Sequence, residues 1–208
     1  MSPTLSRGAA PARPLLLAGV VFLAVACTGR RVRVPAIPAE KAGQEALNQY
    51  DANKDGFLDK NELKACPALA SCLKAVDKNR DGRLSGDEIS ERINYYQTSR
   101  VGLSAVAVKV TLDGKPLAGA TVTLVPERFL GDEVKPASGV TDARGVANVA
   151  TEGVEVPGVA CAMFRIHVSK KDTGGRETLP ARYNQNTTLG AEVGPDWQGV
   201  LRLALLGS

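Results

Sequence analysis

The segment DANKDGFLDKNE, residues 51–62, and the segment DKNRDGRLSGDE, residues 77–88, follow one template. Each sets an acid, an amide and an acid at alternate positions, then a glycine sixth and a glutamate twelfth. That spacing is a metal-binding loop. Calcium is a hard cation that takes six to eight oxygens, and a twelve-residue loop delivers them from positions 1, 3, 5, 7, 9 and 12. Loop one offers Asp51, Asn53, Asp55, the Phe57 carbonyl, Asp59 and both oxygens of Glu62. Loop two offers Asp77, Asn79, Asp81, the Arg83 carbonyl, Ser85 through water, and Glu88. Gly56 and Gly82 stand where the chain must turn with a backbone angle costly to other residues. Two Ca2+ ions are expected. Loop one has Asp59 where loop two has Ser85, and Lys78, Arg80 and Arg83 crowd loop two, so charge favours loop one.

The flanks repeat as well. Leu47 and Tyr50 precede loop one at the offsets at which Leu73 and Val76 precede loop two, which puts each pair on one face of an entering helix. Leu63, and the series Ile89, Ile93 and Tyr96, continue the apolar face beyond the loops. The whole of residues 40–99 resembles an EF-hand pair, with Leu58 and Leu84 facing each other across the short β contact that joins such loops. Only residues 63–76 separate the loops, and Pro67 stops the exiting helix of the first after about one turn. Dockerins also have closely linked calcium loops, but theirs usually close with aspartate, whereas Glu62 and Glu88 close these. The stretch CPALASC brackets the proline with Cys66 and Cys72. A proline-broken turn would bring them within disulfide range, and that bridge is expected; the alternative is two small buried thiols.

Ahead of this unit, residues 1–26 read as an export signal: Arg7 and Arg13, then the apolar run LLLAGVVFLAVA, about the length of a signal-peptide core and short for a bilayer span. The run ends LAVAC, which resembles the lipobox of bacterial lipoproteins. That resemblance implies cleavage before Cys27, acylation of its thiol, and a chain held to membrane lipid through the acylated Cys27, facing the periplasm or cell exterior. Ordinary secretion and an uncleaved anchor are the alternatives. Residues 27–39 then form a proline-containing tether, whose Arg30, Arg31 and Arg33 either lie against anionic head groups or are simply solvated.

From about residue 103 the apolar period changes from helical to two. Val106, Val108, Val110 and Leu112 share a face, as do Val122 with Leu124, Phe164 with Ile166 and Val168, and Leu201 with Leu203 and Leu205. DGKP, DARG and DTGG punctuate the runs as turns. Short strands with regular turns and no helical pattern between them indicate a β-sandwich. VTLDGKPLAGATVTLVPE, SGVTDARGVANV and VPGVACAMFRIHVSK look like the carboxypeptidase regulatory-like, or transthyretin-like, domain of planctomycete-type lipoproteins. The resemblance implies a seven-stranded Greek-key sandwich, transthyretin-like or Ig-like, over residues 100–208, with no catalytic role of its own. The expected fold class is thus multidomain: a small all-α EF-hand pair followed by an all-β sandwich.

No enzyme is expected. His167, the only histidine, alternates away from Ile166 and Val168, and no HExxH, GxSxG or phosphate-cradling glycine loop occurs. A net charge of +4, two of whose positive groups lie in the leader, is too small to point to nucleic acid. The expected function is that of a lipid-anchored, calcium-binding cell-envelope protein with a structural or adhesive role. The alternative is a calcium-dependent module presenting a surface to an envelope protein or glycan. Chelation is expected to loosen residues 40–99 and leave the sandwich nearly unchanged.

Overall fold

The computed structural model of the chain describes residues 33–154 and 156–207. The leader and Cys27 lie outside the described residues. Val32–Ser208 form one compact unit. Its first part is helical: α1 (Ala39–Tyr50), α2 (Pro67–Val76) and α3 (Gly86–Thr98), with β1 (Phe57–Leu58) and β2 (Leu84–Ser85) in the loops between them. A single 3-10 turn, Glu62–Ala65, is all that remains of the helix leaving the first loop. Pro67 then starts α2 at a first-turn position, where its missing N–H is no loss.

That start decides the cysteines. Cys66 is the residue before α2, Cys72 lies within it, and the helix runs unbroken between them. Six residues of α-helix rise about 9 Å, beyond the span of a disulfide. Both are free, buried thiols, which corrects the expected bridge; Cys161 is likewise free and buried. The Cys72 thiol donates to the Ala68 carbonyl at 3.2 Å.

The second part is β3 (Val106–Leu112), β4 (Lys115–Pro116), β5 (Thr121–Pro126), β6 (Ala137–Val140), β7 (Val146–Thr151), β8 (Ala162–Ser169), β9 (Leu189–Val193) and β10 (Val200–Leu205). They form one curled path in the order β10-β3-β7-β6-β5-β8-β9, with β4 on β3, rather than two separate sheets. Pairing is antiparallel except at β10, which runs parallel to β3 with Val200 beside Ala107. The alternation read from the sequence sets the core: Val106, Val108, Val110, Val122, Leu124, Phe164, Ile166, Val168, Leu203 and Leu205 are buried. The turns carry their own support. In DARG, Asp142 accepts from the Arg144 and Val146 N–H groups, and in DTGG, Asp172 accepts from those of Gly174 and Arg176.

The two parts share a core. Helix α2 lies on β9 and β8, and a Cβ added at Gly190 of β9 would land on the Pro67 carbonyl and the Ala68 nitrogen. A β-carbon at Gly43 of α1 would likewise strike the Gly86 carbonyl and the Ser90 hydroxyl of α3. Backbone therefore meets backbone at both crossings, and only glycine allows it.

Candidate metal centre

Both loops fold through one set of hydrogen bonds, residue for residue. At position 1, Asp51 accepts from the N–H groups of Lys54 at 2.7 Å and Gly56 at 2.9 Å; Asp77 accepts from Arg80 at 2.6 Å and Gly82 at 2.9 Å. At position 3, Asn53 and Asn79 accept from Asp55 and Asp81. At position 5, Asp55 and Asp81 accept from Phe57 and Arg83. The chain turns left-handed at positions 4 and 6, with φ of 61° and 86° at Lys54 and Gly56, and 62° and 81° at Arg80 and Gly82. Oxygen after oxygen is thus held by the loop's own amides, which is how a short loop tolerates so many acids.

The closing glutamates reach back across their loops. Glu62 accepts from Ala52 at 2.8 Å and from Asp59 at 2.9 Å; Glu88 accepts from Lys78 at 3.0 Å and from Ser85 at 2.9 Å. Position 9 answers from the other side. Ser85 caps α3 by accepting from the Glu88 N–H, a full capping box, and Asp59 accepts from the Glu62 N–H in the same way. N–H donation from Glu62 and Asn61, aided by the charges of Lys64 and Arg83, holds the Asp59 carboxyl below the usual range. Burial works to raise the Glu88 carboxyl, but the Ser85, Lys78 and Asn79 donors outweigh it and the net direction is down. Both acids are therefore charged at neutral pH. The loops are joined by the β1–β2 pair, with Leu58 opposite Leu84 and both fully buried.

All twelve sequence-read ligand positions fall in these loops, six to each. The donor set is oxygen throughout, which suits a hard dication and no soft metal. Among the described residues, no three Asp, Glu, His or Cys side chains stand close enough together to hold a metal ion. The carboxylates are instead spread along the loop amides described above. By chemistry, order and backbone turn the residues fit calcium; in this arrangement the side chains are not gathered about one centre.

Two sets of contacts outside the loops matter to them, and the loop pattern did not reveal them. Tyr50, the last residue of α1 before Asp51, donates to Glu127 at 3.0 Å, and Arg165 of β8 reaches both Glu127 at 3.4 Å and the Ala65 carbonyl at 2.8 Å. Glu127 is only 2% exposed. Burial first, with the Glu127 charge second, pushes the neighbouring Cys66 thiol up to about 12, so it stays protonated. On the other side, Arg92 and Tyr96 of α3 both bond Glu192 of β9. Each hand is thereby attached to a glutamate of the β part, Glu127 buried just beyond β5 and Glu192 half-buried in β9. Within the loops themselves, the Arg83 guanidinium lies over the Phe57 ring, 4.3 Å from its centroid.

Comparison with known families bears on the loops alone. Residues 44–67 and 69–92 each match the family model described as EF hand. No curated protein and no solved structure matches the chain. The chain therefore contains an EF-hand pair, and with it the family's association with calcium binding, ahead of a curled β-sheet.

Proposed function

We propose that this is a calcium-binding protein of the cell envelope in which two Ca2+ ions brace a helical unit against a carboxypeptidase regulatory-like β-sandwich of Greek-key type, in a structural rather than a catalytic role. The observation that carries the structural reading is the seat of α2 on β8 and β9, closed at Gly190. A calcium sensor works by uncovering an apolar face for a partner. Here the sheet of the same chain already covers that face, and Glu127 and Glu192 fasten both hands to it. A calcium-switched binding module is the reading this packing disfavours. Asp51, Asn53, Asp55, the Phe57 carbonyl, Asp59 and Glu62 would hold one ion, and Asp77, Asn79, Asp81, the Arg83 carbonyl, Ser85 and Glu88 the other. Extracellular calcium is plentiful, so affinities of about 10⁻⁵ to 10⁻³ M keep both sites filled.

Calorimetric titration of the calcium-depleted chain is expected to give two ions per chain; no binding rejects the calcium role, and one ion rejects the pair. The envelope assignment rests on the LAVAC sequence. Among the described residues no helix is long and apolar enough to cross a membrane; on the LAVAC resemblance, attachment would come from the lipid on Cys27. Cys27→Ser is expected to leave the protein unlipidated, in the soluble fraction or uncleaved. A Cys27→Ser protein that remains membrane-bound and normally processed rejects the anchor.

A further inference from the structure

Arg83 contributes its carbonyl to loop two, yet its side chain belongs to both loops. The guanidinium stands 3.9 Å from the Asp55 carboxylate of loop one and 3.9 Å from the Asp81 carboxylate of loop two. These are the equivalent acids, position 5 of each loop. The stacking on Phe57 fixes where the charge sits, since a guanidinium over an aromatic face is held by the ring quadrupole. The short β pair brings the two loops together, and Phe57 lies in register with Ser85, two residues on from Arg83.

We propose that Arg83 is a shared counter-cation of the two calcium sites: it neutralises one carboxylate ligand in each loop and sets the calcium affinity of both below what their oxygens alone would give. The proposal rests on the calcium reading above. Its physical content is a single positive charge placed where two dications must compete with it. Repulsion between a unit charge and a dication a few ångströms apart in a water-like dielectric corresponds to about ten-fold in affinity, and physiological salt reduces this to about three-fold. Because the carbonyl ligand is backbone, Arg83→Gln removes the charge and keeps the ligand. Arg80 carries the same charge within loop two and serves as the control.

The decisive measurement is made across the loops. In a Glu88→Gln background, with loop two disabled, calcium titration reports loop one. There Arg83→Gln is expected to tighten binding by about three- to ten-fold and to flatten its salt dependence, whereas Arg80→Gln changes it by less than about two-fold. In the calcium-depleted full chain, Arg83→Gln is expected to lower the melting temperature, because Asp55 and Asp81 lose their common partner. Equal effects of the two substitutions on loop one overturn the shared role while leaving calcium binding intact. A wild-type chain that binds no calcium overturns both readings.

Discussion

Replacing Gly190 with valine is expected to lower the melting temperature of the chain by about 6 to 12 °C, a loss of about 3 kcal/mol. Any β-carbon at this position falls on the main chain of Pro67 and Ala68, and main chain cannot swing aside as a side-chain tip does. Relief requires α2 to lift from β9. That movement would uncover Leu69, which is fully buried, and disturb Ala191 and Cys72. It would also pull at both glutamate attachments. Helix content should persist just below the transition while the melt moves as a whole. A Gly190→Val protein melting within about 2 °C of wild type would show that the helical part is not seated on the sheet as described. Gly190→Ala, which meets the same backbone with a smaller group, should fall between.

Calcium removal is expected to lower one cooperative transition for the entire chain, by about 10 to 20 °C when calcium had been present at about a hundred times its dissociation constant. Ligand binding at that excess contributes about 2.7 kcal/mol per site, and for a unit of this size each kcal/mol moves the melt by about 2 to 4 °C. This departs from the expectation drawn from sequence, in which only residues 40–99 respond. The reason is the absence of a break between the parts: Val32–Ser208 are one compact unit, and Tyr50, Arg92 and Tyr96 bond acids of the sheet. Calorimetry with and without chelator distinguishes the two. A sheet transition that stays in place while a separate helical melt shifts would restore independent domains.

What could be read from sequence was what is encoded locally. The ligand positions expected for calcium in each hand lie within twelve residues, so their spacing is visible, and the period of two displays the strands' buried faces directly. The helix face of α1 was harder. Leu47 and Tyr50 marked it, but the residues it buries deepest are Ala42 and Ala46, with Gly43 at the crossing, and small residues give no apolar signal. Pro67 was read as the end of one helix when it is also the start of the next, and that difference separates Cys66 from Cys72. Glu127 and Glu192 carry no mark in the sequence that sets them apart from other acids. Their partners Tyr50 and Arg92 are remote in the chain, so nothing in the local pattern announces those bonds. Arg83 was read as a burden on loop two alone, because a linear sequence cannot show a side chain leaning across to its neighbour.

The parallel strand β10 has a bearing on how the molecule comes to be folded. Leu203 must find Val110, and α2 must find β9, before either can bury its apolar face. Contacts between such distant segments form late, because the loop they close costs entropy that is recovered only on closure. During synthesis the EF-hand pair leaves the ribosome first, without the surface it is to rest on, and α2 stays uncovered until β8 and β9 follow. A chain of this design reaches an oxidising compartment, if exported, with Cys66 and Cys72 sealed only once the sheet is complete. Folding order thus falls to the sheet: the part that arrives last shelters the part that arrives first.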